Sequence, residues 1–198
     1  MNFKIISLSY LNDNRINQLA RLHHKEMESL LSDLGLPFVE RYYQTARADS
    51  SVIGACALGV AGNPLGWGIG SPRPNQVNRR MREAWGWFIV QMLRVLLTNP
   101  KLIWQVFVSS QTSSIAMKAG AVELTYIGVD SSARKQGLGS ELLSAFIEAA
   151  REKKFRTVEL SVDADNTAAI ALYTRAGFET IASFKEGRFN RHRMELIL

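Results

Sequence analysis

The chain has 198 residues, of which 46% are hydrophobic and 21% charged, which suits a globular protein with one sizeable core. Its formal net charge of +6 is compatible with an anionic partner, whether a nucleic acid, a membrane surface or a small molecule. The single cysteine, Cys56, excludes a disulfide within the chain, and the three histidines lack the spacing of metal ligands, so we expect no metal site.

The cysteine content and the first residues predict the cellular location. One cysteine fits a reducing compartment, and we expect Cys56 in the core because it lies in an apolar run. Residues 1–8 become polar too soon for a signal peptide. A cytoplasmic location is therefore expected.

The N-terminal third alternates strand-like and helical patterns. In chain order we predict a strand at 3–9, a helix from 13 to about 33, a second helix at 38–47, and strands at 51–58 and 65–69. Asp13 or Asn14 is expected to cap the first helix, and Gly35 ends it. His23 and His24 are expected on the surface of that helix.

Residues 72–120 separate the third and fourth predicted strands. We predict a long helix at 76–98, ended by Asn99 and Pro100, a second helix at 101–109, and a loop or short helical turn from there to 120. Apolar side chains cover most of the long helix, but their run is shorter than the about 20 residues that a membrane span needs. We therefore expect no transmembrane segment.

The long helix at 76–98 has three interpretations. It is buried within the subunit, it forms a homodimer interface, or it is a lid over an acceptor site or a lipid surface. Four arginines stand at the start of the segment: Arg73, Arg79, Arg80 and Arg82. They either attract an anionic acceptor, such as a sugar nucleotide, or form a solvated face.

A glycine-bearing turn follows the fourth predicted strand, at 122–129, and precedes an amphipathic helix. Gly137 and Gly139 let the backbone approach a ligand closely, and the first N–H groups of the helix point at that ligand. Arg134 and Lys135 add positive charge to the turn. This arrangement indicates a pyrophosphate-binding turn, and the alternative is that the glycines only permit tight packing of helix on strand.

A second strand–helix unit begins with a strand at 157–162. Asp165 or Asn166 is expected to cap its helix. The apolar face of that helix carries Ala169, Leu172, Tyr173 and Ala176. Residues 180–185 and 193–198 then alternate like the two strands of a hairpin.

Together the two units resemble the GNAT family of acyl-CoA-dependent N-acyltransferases. The family's pyrophosphate turn, Arg/Gln-x-x-Gly-x-Gly/Ala, is similar to Arg134-x-x-Gly137-x-Gly139. Its second signature, Asn-x-x-Ala-x-x-Leu-Tyr followed by Gly-Phe, is matched by Asn166, Ala169, Leu172, Tyr173, Gly177 and Phe178. The resemblance covers the chain from about 121 to its end closely and the N-terminal third loosely. Many members carry a proline where this chain has Ser131, a difference that affects only the stiffness of the loop.

The resemblance implies an α/β fold of the GNAT type. Its central sheet is mixed and mostly antiparallel, has about seven strands, and is flanked by helices. The fourth and fifth strands are expected to splay so that the pantetheine arm of a coenzyme passes between them. The whole chain, 1–198, is expected to be one acyltransferase domain, with 72–120 as a helical insert between strands 3 and 4.

The resemblance also implies acetyl-CoA as the acyl donor, and it carries over the residues that hold it. These are Ile127, Gly128, Val129, Arg134, Lys135, Gln136, Gly137, Leu138, Gly139, Ser140, Asn166, Ala169 and Tyr173. Asn166 orients the pantetheine amides, caps its helix, or does both.

Two residues are candidates for the chemical step. Tyr173 matches the family's tyrosine that donates a proton or a hydrogen bond to the departing sulfur, and the alternative is a half-buried core tyrosine. The resemblance also implies Glu123 as a candidate base, since several GNAT enzymes use a glutamate near this place, often through water, and a regular strand places it on the same face as Thr125 and Ile127. The alternative for Glu123 is a solvated or capping carboxylate.

GNAT domains bind the oxyanion with a backbone N–H where the fourth strand is distorted. We place that bulge near Ile127 and Gly128, because a glycine inside a strand often marks one. The alternative is that Gly128 leaves room for packing.

The implied function is acetyl transfer to a primary amine of a small molecule, including an amino sugar, or of a peptide. Two alternatives stay open. One is a non-catalytic GNAT domain that binds acyl-CoA, and the other is a membrane or anionic-surface binder that uses the insert at 72–120. The absence of a helix-turn-helix or zinc pattern in the sequence argues against nucleic-acid binding.

Overall fold

The computed structural model describes residues 2–100, 102, 117–187 and 189–198. The strands are β1 (Phe3–Ser7), β2 (Ile53–Gly59), β3 (Pro64–Ser71), β4 (Ala121–Val129), β5 (Thr157–Asp163), β6 (Glu179–Glu186) and β7 (Phe189–Ile197). The helices are α1 (Asp13–Glu26), α2 (Leu30–Asp33), α3 (Leu36–Arg47), α4 (Pro74–Glu83), α5 (Trp85–Thr98), α6 (Leu138–Glu152) and α7 (Thr167–Arg175). Short 3-10 turns lie at Leu8–Tyr10 and Ser131–Ala133.

The seven strands form one mixed sheet in the order β1-β2-β3-β4-β5-β7-β6. All neighbouring pairs are antiparallel except β4 and β5, which run parallel. The predicted sheet, mixed and mostly antiparallel with helices around it, is confirmed. The parallel pair at the centre decides where the site lies, because β4 and β5 are the two neighbouring strands that end at the same edge of the sheet.

Helices pack on both faces of the sheet. One cluster joins α1, α3, α4 and α5 to Trp67 of β3; it includes Ile16, Leu19, Phe38, Tyr43, Cys56, Val77 and Val95. A second cluster lies under α6 and α7; it includes Val122, Leu143, Phe146, Val158, Leu160 and Tyr173. On β3, Gly66, Gly68 and Gly70 face α6, and an added Cβ would meet the Leu142 side chain at Gly66 and the Phe146 ring at Gly70. The missing side chains let α6 lie close to the sheet.

The first helix is shorter than predicted and begins with a different cap. Asn12 is the N-cap, and its Oδ1 accepts a hydrogen bond from the backbone N of Arg15 at 3.0 Å. The prediction of Asp13 or Asn14 as the cap was therefore wrong. The helix ends at Glu26 rather than near Asp33, because Met27 takes an extended conformation with φ −125° and ψ 118°.

His23 is buried, whereas the sequence predicted it on the surface. Its side chain is 0% exposed, and its Nδ1 lies 2.8 Å from the hydroxyl of Tyr43. Burial, and to a lesser extent the charge of neighbouring His24, lowers the pKa of His23 to about 3. The prediction failed because a neutral imidazole with a hydrogen-bond partner is tolerated on the apolar face of α1. His24 is exposed as predicted.

Residues 74–98 form two helices, α4 and α5, where the sequence predicted one long helix at 76–98. The break is at Ala84, whose φ of −78° and ψ of 58° are not helical. It lets Val77 and Met81 of α4 and the inner face of α5 pack separately on the same cluster. Apart from Leu102, the predicted helix at 101–109 lies outside the described residues, as does most of the predicted loop to 120.

The bulge of β4 lies at Thr125, not near Ile127 and Gly128 as predicted. Pairing with β3 is regular from Val129 to Tyr126 and then slips, so that Ile69 faces Tyr126 and Gly70 faces Leu124. The slip also reverses the alternation of side chains. Ile127 packs with Leu124 toward α6, so Glu123 and Ile127 lie on opposite faces instead of sharing one.

Two glycines make room for this part of β4. A Cβ on Gly128 would collide with the ring of Trp67, so the alternative interpretation of Gly128, space for packing, is the one the structure supports. A Cβ on Gly70 would overlap the carbonyl oxygen of Glu123. The bulge therefore depends on the close approach of two backbones at Gly70.

We expect Gly70→Ala to destabilise the fold by about 1–3 kcal/mol, because the added methyl group overlaps backbone that has no rotamer to change. Gly68→Ala is the matched control on the same strand, since its Cβ would meet nothing closer than 3.8 Å. Urea unfolding of both variants gives the comparison. Equal stability of the two variants would contradict the proposed contact at Gly70.

Candidate active site

The site is built on the divergence of β4 and β5. The two strands pair from Ala121 with Thr157 to Leu124 with Leu160 and then separate. Beyond that point β4 stays paired with β3 and β5 stays paired with β7. The bulge at Thr125 begins the separation. Backbone groups of β4 that face the gap therefore have no partner strand beside them.

The gap opens into a cleft with a volume of about 1230 Å³. The turn after β4, the N-terminus of α6, the N-terminus and inner face of α7, and the start of β7 line it. Residues 26–29, between α1 and α2, close one side. Among the described residues, no group of histidine, cysteine or acidic side chains is arranged to hold a metal ion.

The turn between β4 and α6 places backbone N–H groups at the cleft. Gly137 is the N-cap of α6 and has a left-handed backbone with φ of 81°. No side chain caps this helix, and the N–H groups before Ser140 have no acceptor within it. An added Cβ on Gly137 would meet no atom within 4 Å, so the glycine leaves open space in front of the helix dipole.

Charged side chains fix the same turn to α1. Arg134 donates from Nη2 to Glu26 Oε2 at 2.7 Å and from Nε to the carbonyl oxygen of Val129 at 3.2 Å. Ser131 donates to the other oxygen of Glu26 at 3.0 Å, and Lys25 forms an ion pair with Glu26 at 2.9 Å. The Glu26 side chain is only 6% exposed. This connection positions the turn before any ligand binds.

The N-terminus of α7 is capped by Asn166, whose Oδ1 accepts a hydrogen bond from the backbone N of Ala169 at 3.1 Å. Of the two predicted caps, the structure selects Asn166 over Asp165. Both Asn166 and Ala169 also line the cleft. The cap uses only the amide oxygen, so the NH2 group of Asn166 is left for another partner.

Tyr173 lies one turn farther along α7, on the wall of the cleft. Its side chain is almost fully buried and packs against Phe178, with ring centroids 5.8 Å apart. Burial raises the pKa of Tyr173 to about 12. The phenol therefore stays protonated at neutral pH and can donate a hydrogen bond or a proton into the cleft.

Glu123 is held in an ionic cluster on the opposite face of the sheet from α6. Arg193 donates from Nη1 to Glu123 Oε2 at 2.9 Å and to the Ser161 hydroxyl at 3.1 Å. It also donates from Nε and Nη2 to Glu159 Oε2, at 3.2 and 2.6 Å. Arg193 and Glu159 are almost completely buried, and Glu123 is 21% exposed. Glu123 does not line the cleft.

Comparison with models of known protein families identifies the family of this chain. A model of the acetyltransferase (GNAT) family matches residues 16–178. The chain belongs to the GNAT acetyltransferase family. GNAT acetyltransferases use acetyl-CoA.

Individual relatives match shorter parts of the chain or match it more distantly. Mycothiol acetyltransferase of Clavibacter sepedonicus is 41% identical over 68 residues, which are 34% of this chain and 22% of that protein. The match therefore spans about a fifth of the relative's length.

Two solved structures show the same fold. The ribosomal-protein-S18-alanine N-acetyltransferase from Escherichia coli has a TM-score of 0.61 and 17% identity, over 99% of this chain and 94% of that one. A chain of the NatC complex bound to Gag peptide and CoA has a TM-score of 0.62 and 12% identity, over 100% of this chain and 99% of that one.

The structure brings together most of the residues that the GNAT resemblance named. Those that line the cleft are Ile127, Gly128, Val129, Arg134, Lys135, Gly137, Leu138, Gly139, Ser140, Asn166, Ala169 and Tyr173. Gln136 does not line the cleft; its side chain is exposed and donates to the carbonyl oxygen of Ser132 at 3.4 Å. Glu123 is the other named residue outside the lining.

Sequence reasoning missed two segments of the cleft wall. One is residues 26–29, which the sequence placed inside the first helix. The other is the start of β7, where Arg191 lies over the ring of Phe189 and forms an ion pair with Asp163 at 3.0 Å. The sequence contained one usable signal for the first segment. Serine is a preferred N-cap, and Ser29 caps α2 by accepting a hydrogen bond from the backbone N of Ser32.

Proposed function

We propose that this GNAT protein transfers an acetyl group from acetyl-CoA to a primary amine of a small molecule, such as an amino sugar, or of a peptide. One observation carries the proposal: β4 and β5 separate beside a helix N-terminus at Gly137 and a protonated Tyr173. A thioester held in that gap would have an anion site at one end and a proton donor at the other.

The turn at 134–140 suits the pyrophosphate of the donor. Backbone N–H groups of Leu138 and Gly139 and the dipole of α6 favour an anion there, and Lys135 adds a charge. The pantetheine arm would lie in the gap, where unpaired backbone groups of β4 offer hydrogen bonds. The NH2 group of Asn166 is placed to bind an amide of that arm.

The reaction joins the amine nitrogen to the thioester carbonyl carbon and breaks the carbon–sulfur bond. Negative charge develops on the carbonyl oxygen, and an N–H of β4 near the bulge at Thr125 is the proposed donor to it. Tyr173 is the proposed proton donor to the departing thiolate, since it holds its proton until pH about 12.

The amine must lose a proton to attack, and Glu123 is the proposed base. Arg193 occupies Glu123 Oε2, so the proton would reach the other carboxylate oxygen, Oε1, through a water molecule. Glu28 and Asp165 are exposed carboxylates in the cleft lining, which favours the arrival of a positively charged amine.

We expect Gly137→Ala to weaken acetyl-CoA binding about 10-fold, because the methyl group enters the space in front of the α6 N–H groups and the residue must keep φ near 81°. Gly120→Ala is the matched control, because Gly120 has the same φ of 81° and lies outside the cleft. Both variants should lose about 1–2 kcal/mol of stability from backbone strain. Calorimetric titration with acetyl-CoA measures the affinity of each variant, and only Gly137→Ala should bind more weakly.

Equal affinities for acetyl-CoA in the two variants would contradict a pyrophosphate site at Gly137. Failure of the unaltered protein to bind acetyl-CoA would overturn the proposed function itself. A panel of amino sugars and peptides with free amino groups, tested with acetyl-CoA and mass detection of the product, then identifies the acceptor class.

A further inference from the structure

Helix α5 also has apolar side chains on its outward face. Gln91 and Val95 are its buried residues, and Trp87 and Phe88 pack on Phe38 of α3 at 5.3 and 6.0 Å. Its outward positions carry Trp85, Ile89, Val90, Leu93, Leu96 and Leu97, which are 47–84% exposed. Six of the ten exposed large hydrophobic side chains in the described part of the chain therefore lie on this one helix.

The same segment carries the net charge of the whole protein. Seven of the 24 lysines and arginines, but only Glu83 among the 18 acidic residues, lie within 72–120. The other residues contain 17 of each sign and are formally neutral. Arg79, Arg80 and Arg82 are exposed on α4, directly before α5, although Arg80 also forms an ion pair with Asp49 at 2.7 Å.

We propose that this surface, the exposed arginines of α4 with the outward apolar face of α5, binds the surface of a bilayer that contains anionic lipids. This inference goes beyond the proposed acetyl transfer. Exposed apolar side chains beside a cluster of arginines are the composition of helices that lie in the membrane interface. Each arginine gains about 1 kcal/mol, about five-fold in binding, near an anionic lipid surface.

The alternatives fit the surface less well. A nucleic acid would use the arginines but would leave Leu93 and Leu97 exposed to water. A second copy of the chain would cover the apolar face but would bring two segments of equal positive charge together. No helix in the described part of the chain is long and apolar enough to cross a membrane, so α5 would lie along the lipid surface.

Vesicle co-sedimentation of the full chain tests the proposal without acetyl-CoA, so its result is independent of the proposed function. We expect binding to phosphatidylcholine vesicles that contain phosphatidylglycerol, weaker binding to vesicles of phosphatidylcholine alone, and a decrease as salt is added. Quenching of tryptophan fluorescence by brominated lipids should fall in Trp85→Phe, because Trp85 is 72% exposed on α5.

Paired variants separate the two halves of the surface. Leu93→Ser with Leu97→Ser should weaken binding by about 10-fold or more, because it removes apolar area from the interface. Val60→Ser with Ile197→Ser is its control, since both residues are exposed away from α5.

Arg79→Gln with Arg82→Gln should weaken binding about 25-fold. Its control, Lys4→Gln with Lys154→Gln, makes the same change of charge at exposed positions.

Three results would overturn the proposal. The first is no association with anionic vesicles. The second is full binding of the Leu93 and Leu97 variant to anionic vesicles together with equally strong binding of duplex DNA. That result would show that the arginines bind an anionic polymer. The third is a dimer in analytical ultracentrifugation that this leucine variant dissociates, which would place a second copy of the chain on α5.

Discussion

The Tyr173→Phe variant is expected to turn over about 10²-fold more slowly than the unaltered protein, with unchanged affinity for acetyl-CoA. The reason is that this substitution removes only the hydroxyl group of Tyr173. The phenol of Tyr173 lies on the cleft wall and keeps its proton because burial raises its pKa to about 12. Loss of a positioned proton donor costs about 10²–10⁴-fold in rate. Steady-state kinetics with the best amine of the acceptor panel measures turnover, and calorimetry measures acetyl-CoA affinity.

The control for Tyr173→Phe is Tyr10→Phe, which makes the same change at a position that is 79% exposed. The pH profile provides a second readout. Since Tyr173 stays protonated up to about pH 12, its ionisation should not lower the rate between pH 7 and 10. Turnover that Tyr173→Phe leaves unchanged would remove this residue from the mechanism, and would favour leaving-group protonation by solvent.

The parts of the site that sequence predicts well are those in which local residues fix local structure. Arg134, Lys135 and Gly137 lie just before an amphipathic helix, and that order predicts a glycine-bearing turn at the helix N-terminus, where the structure has Gly137 as the N-cap. Asn166 likewise precedes its own helix and caps it within three residues. Both features depend on contacts inside one short stretch of chain, so no knowledge of the fold is required.

The parts of the fold and site that the sequence predicts poorly mostly depend on contacts with distant parts of the chain. The bulge of β4 lies at Thr125 because Gly70 of β3 permits close approach there, whereas Gly128 within β4 only accommodates Trp67. His23 is buried because Tyr43, on another helix, supplies a partner for its ring nitrogen. The break between α4 and α5 was also missed. The helical spacing of apolar residues continues through Ala84, and alanine favours a helix, so the sequence gives no sign of a break there.

Arg193 is the clearest case of a contact that no local pattern indicates. It joins Glu123 of β4 and Glu159 of β5 from β7, across 70 and 34 residues of sequence. We expect Arg193→Met to destabilise the fold by about 3–5 kcal/mol, because it leaves the carboxylate of Glu159, 1% exposed, without its partner charge. Urea unfolding followed by circular dichroism measures the free energy of unfolding.

The matched control is Arg191→Met, two residues earlier on the same strand. Arg191 also contacts two carboxylates, Asp163 and Glu186, but its partners are 35% and 36% exposed, so its loss should cost less than about 1 kcal/mol. Adding Glu159→Met to Arg193→Met should recover part of the lost stability, because the buried charge is then removed as well. If Arg193→Met and Arg191→Met lose equal stability, burial of the cluster is not what gives Arg193 its effect.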